Sequence, residues 1–211
     1  MHEELLQFYS EKRNEIKKRL EEFRQISQES DERIFAELAF CLCTPQSKAT
    51  NCWNAITSLT KNGLLLNGRA DEIRPFLNTV RFGSKKADYI VGARDIFTKN
   101  SKIEIKEKMK SFQNSKQARE WFVENIRGFG MKEASHFLRN IGMGNDLAIL
   151  DVHILKNLEK HKVIDEFPKS LTPKKYFEIE AKMKKFSQSV NIPFDELDLL
   201  FWSKETGMVF K

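Results

Sequence analysis

The chain has 211 residues with 36 Lys and Arg against 30 Asp and Glu, a net charge of +6, and no apolar run near the length that a membrane span needs. Its first residues are charged rather than signal-like, and no Gly/Ser- or Pro-rich linker or internal repeat divides it, so the expectation is a cytoplasmic protein of one large domain or two small lobes. The positive balance suits a polyanionic partner but does not establish one.

In chain order, residues 3–26 read as a helix with Leu5, Phe8, Tyr9, Ile16, Leu20, Phe23 and Ile26 on one face. Its lysines and arginines alternate with glutamate on the other face, as on a solvated surface. Ile34, Phe35, Leu38, Ala39 and Leu42 mark a second helix that stops near Thr44-Pro45, because proline restricts the residue before it. A third helix is expected from about Ser47, carrying Cys52, Trp53, Ile56 and Leu59 inward. Asn62-Gly63 and Asn67-Gly68 mark turns, and a short helix follows over Asp71–Leu77. Val80–Ser84 reads as a loop, in which the aromatic Phe82 is not forced inward by any periodicity. Helices then follow over Lys85–Phe97 and Ile105–Phe112, and Ser115 is read as the cap of the next one. Thr172-Pro173 is a helix start, and Pro193 opens the last helix, on which Asp198 and Trp202 stand four apart. No stretch alternates as a strand does. The fold class expected is all-α.

The most informative stretch is Asn125–Gly142. Ala118, Trp121, Phe122 and Ile126 on one side of Gly128-Phe129-Gly130, and Ala134, Phe137, Leu138 and Ile141 on the other, recur at helical steps. Two glycines in so short a turn can take positive φ and leave the backbone bare for close approach. The second helix begins around Met131 and points its free N–H groups and positive dipole end at the hairpin, an arrangement suited to a phosphate. Lys132 falls in the first turn of that helix, where the dipole disfavours a cation, and a neutral lysine amine is a nucleophile that forms Schiff bases. Nineteen residues on, Asp151 interrupts the apolar run Leu147–Leu155 just before another helix. It reads either as an N-cap or as a catalytic carboxylate, and Lys132 either as a surface lysine or as a nucleophile. Their joint appearance beside the hairpin favours the catalytic pair. His136, one turn after Lys132, can line the same pocket or be a satisfied histidine beside a helix end.

The run GFGMKEASHFLRN followed by LAILDVHIL resembles the helix–hairpin–helix DNA glycosylase superfamily, in particular the compact 8-oxoguanine DNA glycosylase/AP lyases of archaea and some bacteria. The likeness extends to Phe40–Gln46, Lys85–Val91 and Asp198–Trp202, and so covers most of the chain. The resemblance implies two helical lobes with the active-site cleft between them, residues 36–145 forming one and 1–35 with 146–211 the other. It implies that Lys132 is the nucleophile and Asp151 the assisting carboxylate. It further implies that Gln46 fills the gap left by an extruded nucleotide, and that Gly128, Phe129 and Gly130 grip the DNA backbone. Phe82, Asp198, Trp202 and Lys211 would recognise the base, Trp202 by stacking, Asp198 by hydrogen bonding and Lys211 through its carboxylate. The expected substrate is damaged double-stranded DNA, met by a monomer in the cytoplasm, on the nucleoid if the cell is prokaryotic. No metal is expected for the chemistry, although the resemblance admits a monovalent cation on the hairpin carbonyls. Endonuclease III relatives carry a four-cysteine iron–sulfur loop near the C-terminus. Here Cys41, Cys43 and Cys52 cluster early and no cysteine follows, so that cluster is not expected. The competing expectations are a non-catalytic helix–hairpin–helix DNA-binding module and a glycosylase of the same fold for other lesions.

Overall fold

The computed structural model describes residues 2–211. Twelve α-helices are present among them: α1 (Glu3–Ile26), α2 (Asp31–Cys43), α3 (Ala49–Lys61), α4 (Leu64–Asn67), α5 (Ala70–Ile73), α6 (Gly83–Phe97), α7 (Ile105–Lys110), α8 (Ser115–Asn125), α9 (Met131–Asn140), α10 (Val152–Lys160), α11 (Pro173–Ser189) and α12 (Phe194–Thr206). The architecture is all-α, apart from one tight ribbon of β1 (Thr98–Lys99) against β2 (Lys102–Ile103), antiparallel with Thr98 opposite Ile103. That ribbon, with Asn100 and Ser101 both at positive φ in its turn, was not anticipated, since two-residue strands carry no alternation to read.

Caps and prolines set the helix ends. Ser30 accepts the N–H of Arg33 at the start of α2, and Thr172 accepts that of Lys175 ahead of Pro173. For α8 the cap is Asn114, which accepts the Gln117 N–H, rather than Ser115. Ser115 instead directs its hydroxyl to Asp146, 2.5 Å away.

α2 is the central helix. Every residue from Ile34 to Cys43 is buried, and the helix packs on α3, α6, α7 and α9. The first and last helices pair with each other, α1 also touches α9, and α10 and α11 both pack on α12. The change of lobe expected near residue 36 falls inside α2, which runs unbroken. The cleft lies where the two groups of helices meet, bounded by α9 and the α2–α3 loop on one side and by α12 with the start of α10 on the other.

Candidate active site

The hairpin is set by its first glycine. Gly128 has φ +95°, and a Cβ there would come within 2.5 Å of the Tyr89 ring, so both its backbone shape and the packing of α6 require glycine. Gly130 has ordinary extended geometry, with φ −111°, so only one of the two glycines uses a positive φ. Its N–H is held by the Glu133 carboxylate at 3.1 Å, one turn into α9. The Phe129 side chain is buried against Phe122 and Phe137, with centroids 6.1 and 6.4 Å away. The Phe129 ring is therefore committed to the core and not to the surface.

Beyond the hairpin, Lys132, His136 and Arg139 recur at the i, i+4, i+7 steps of one face of α9, and all three line a cleft of about 830 Å³. Lys132 is partly exposed. Its Nζ donates to Thr44 Oγ1 at 3.2 Å and lies 3.3 Å from Glu133 Oε1. Asp151 stands across the same cleft as the N-cap of α10, and its Oδ1 accepts the N–H groups of His153 and Ile154, each at 2.8 Å. The capping and catalytic readings thus do not compete. Both capping bonds end on Oδ1, which fixes the carboxylate and leaves Oδ2 for the cleft.

α12 contributes Asp198 and Trp202. Asp198 is buried, 3.5 Å from an Arg139 guanidinium nitrogen. Burial pushes its carboxyl above the ordinary carboxylate range, opposed by Arg139 and reinforced by the charge of Asp151. Trp202 is half-buried in the cleft wall, with the Phe210 ring tilted against it, centroids 6.4 Å apart. The tail folds back so that Lys211 lines the cleft with only 8% of its surface exposed. Its ammonium pairs with the buried Glu37 and lies 3.6 Å over the Trp53 ring. What Lys211 presents to the cleft is therefore not its ammonium.

Gln46 also lines the cleft, exposed and left-handed at φ +56°. The loop around it is held by Lys86, whose Nζ donates to the carbonyls of Cys43 and Pro45, each at 2.7 Å, and to Ser47 Oγ. Phe82 is not part of the cleft wall. It is 53% exposed at φ +58°, at the start of α6, with the Arg81 guanidinium 5.0 Å over its ring. The Arg81 N–H bonds Ser47 Oγ at 3.0 Å, so Phe82 stands beside the Gln46 loop at the mouth.

Reading the sequence missed Arg139, and it left His136 undecided. The histidine is 6% exposed, and its ring lies against the backbone of Lys211 with no side-chain partner among the described residues. Burial, joined by the nearby charges of Arg139, Lys132 and Lys211, holds its pKa well below the ordinary value, so it is neutral with one donor and one acceptor available. Their heptad-like spacing from Lys132 was the signal that could have found both. Glu37 and Lys86 carried no comparable signal, because their partners are distant in sequence.

A glycine hairpin between two helices, beside a cleft that carries an amine, two carboxylates and an aromatic ring, defines a helix–hairpin–helix protein. Residues 16–192 match the family model described as 8-oxoguanine DNA glycosylase, and the chain belongs to that family. It is 49% identical to the 8-oxoguanine DNA glycosylase/AP lyase of Fusobacterium nucleatum, over 99% of this chain and 96% of that protein. The Methanocaldococcus jannaschii 8-oxoguanine glycosylase/lyase, solved in complex with 15mer DNA containing 8-oxoguanine, has 38% identity and a TM-score of 0.87, covering 98% of this chain and 99% of that one. The 8-oxoguanine DNA glycosylase of Thermotoga maritima has 33% identity and a TM-score of 0.83, covering 99% and 97%.

Proposed function

We propose that this protein excises 8-oxoguanine from duplex DNA through a lysine Schiff base and then cleaves the strand by β-elimination. The observation that carries the reading is that Lys132 and Asp151 face one cleft beside the glycine hairpin, with Trp202 and Asp198 in its wall. The hairpin backbone grips a phosphate, which fixes register without reading sequence. The target nucleotide leaves the stack, since C1′ is unreachable within the duplex. Trp202 stacks on the extruded base, while Asp198 and the backbone end of Lys211 hydrogen-bond it. The Lys132 amine attacks C1′ as the glycosidic bond breaks and the base departs with the bonding pair. Asp151 stabilises the positive charge that develops on the sugar. Loss of the amine proton and ring opening give an imine. Removal of a C2′ proton then expels the 3′ phosphate.

No step needs a metal. A monovalent cation on the hairpin carbonyls, which are oxygen donors suited to such an ion, would help hold the phosphate-gripping turn. Among the described residues no helix is long and apolar enough to cross a membrane. We place the protein in the cytoplasm, acting on DNA as a monomer.

Borohydride trapping on a lesion duplex tests the reading. Lys132→Gln is expected to bind the duplex and give no covalent adduct; a normal yield would end the assignment. Asp151→Asn is expected to keep DNA affinity while excision slows by roughly two orders of magnitude or more.

A further inference from the structure

Asp151 is preceded by Leu147–Leu150, a buried segment with no helix or strand geometry. Buried backbone groups need partners, and here two side chains of α11 supply them. Tyr176 Oη donates to the Ala148 carbonyl at 2.7 Å and accepts the Leu150 N–H at 3.3 Å, while Glu180 Oε2 accepts the Ala148 N–H at 2.7 Å. The same carboxylate takes both Arg119 guanidinium nitrogens, at 2.6 and 2.9 Å. Arg119, wholly buried on α8, also reaches Ser135 Oγ at 3.3 Å, three residues along α9 from Lys132. An unbroken line of hydrogen bonds therefore runs from the helix of Lys132 through Ser135, Arg119 and Glu180 to the backbone that ends on Asp151.

We propose that Arg119, Glu180 and Tyr176 are positioning residues that hold Asp151 in register with Lys132. The inference rests on the catalytic reading of that pair. A buried ion pair is a poor device for stability alone, since well-packed apolar residues often serve as well or better. This one spends its oxygens on the segment that leads into a carboxylate, and errors of about 1 Å in placing a catalytic group can cost a hundredfold in rate. Asp151 is capped onto α10 on its far side, so the Tyr176–Glu180 contacts on its near side complete the clamp.

The test is a double-mutant cycle in single-turnover excision of 8-oxoguanine, with duplex affinity and melting temperature measured in parallel. Tyr176→Phe removes one oxygen and keeps the ring. It is expected to bind the lesion duplex as the wild type does, and to excise the base roughly tenfold more slowly. In an Asp151→Asn background the same change should have no further effect, because its route to the chemistry is already gone. An unchanged rate, or a tenfold loss in both backgrounds, would overturn the proposal. Glu180→Gln repeats the cycle should the first variant not fold. If Asp151→Asn alone excises normally, the catalytic reading itself has failed, and that outcome is visible without any Tyr176 variant.

Discussion

Two short connections frame the mouth of the cleft, and they reach their backbone shapes by opposite means. In the hairpin, Gly128 takes φ +95° with Tyr89 packed where its Cβ would be. In the α2–α3 loop, Gln46 takes φ +56°, and Phe82 beside it takes φ +58°. For residues with a Cβ that conformation costs roughly 1–2 kcal/mol each. The hairpin has given up side chains to bring backbone close to another group. The loop and the start of α6 beside it each keep one exposed side chain in a conformation glycine would adopt freely, which points to a use for those side chains outside the protein.

The largest effect is expected at Gly128. Gly128→Ala is expected to lower stability by about 2–3 kcal/mol in urea unfolding, and to weaken DNA binding, because strain and the Tyr89 clash act together. A loss well under about 1 kcal/mol would mean the hairpin adapts easily. Lys86→Met attacks the other connection. It leaves the carbonyls of Cys43 and Pro45 without their donor, which should cost about 2 kcal/mol and slow excision with hairpin geometry intact. Normal excision by that variant would separate the loop from the chemistry.

Gln46→Gly is expected to act in the opposite direction on stability. Relieving the left-handed strain should raise stability by about 1 kcal/mol, while preference for a lesion duplex over an undamaged one declines. A variant that gained stability and kept its preference would show that the side chain does nothing for DNA. The smallest effect concerns pH on the hairpin side. The His136 ring, facing Arg139, Lys132 and Lys211, refuses a proton that the unfolded chain accepts near its ordinary value of 6.5. Wild-type stability should therefore fall as pH drops below about 6.5, and His136→Leu should flatten that slope while changing nothing above it. Parallel slopes for the two proteins would place the titration elsewhere.

Local pattern carried much of this architecture. The bounds of α1, the hairpin, the start of α9 and the Thr172 cap all follow from period, glycine and capping chemistry within a few residues. The same logic put Lys132 and Asp151 forward, the family resemblance added Asp198 and Trp202, and the structure brings all four to one cleft. What local pattern could not show was pairing at a distance. Glu37 sits in an apolar helical run and looks like an intrusion until Asn140, Arg33 and Lys211 are seen around it. Phe82, put forward by the resemblance alone, stands outside the cleft wall, because it caps α6 with its ring under the Arg81 guanidinium. Ser115 lost the cap to its neighbour Asn114, since adjacent capping residues are indistinguishable without coordinates.

The pairing of α1 with α12 bears on how the protein is made. Leu5, Tyr9, Ile16, Leu20 and Phe23 on α1 are buried, and Tyr9 donates to Glu196 at 2.7 Å across 187 positions of sequence. At typical translation rates of about 5–20 residues per second, α12 leaves the ribosome roughly 10–40 s after α1. Until then the apolar stripe of α1 lacks its main partner, and the wall of the cleft that holds Asp198 and Trp202 does not yet exist. A nascent or prematurely terminated chain can thus carry the whole hairpin and Lys132 yet lack one wall of the cleft. Lys132 faces a complete cleft only once synthesis has passed α12.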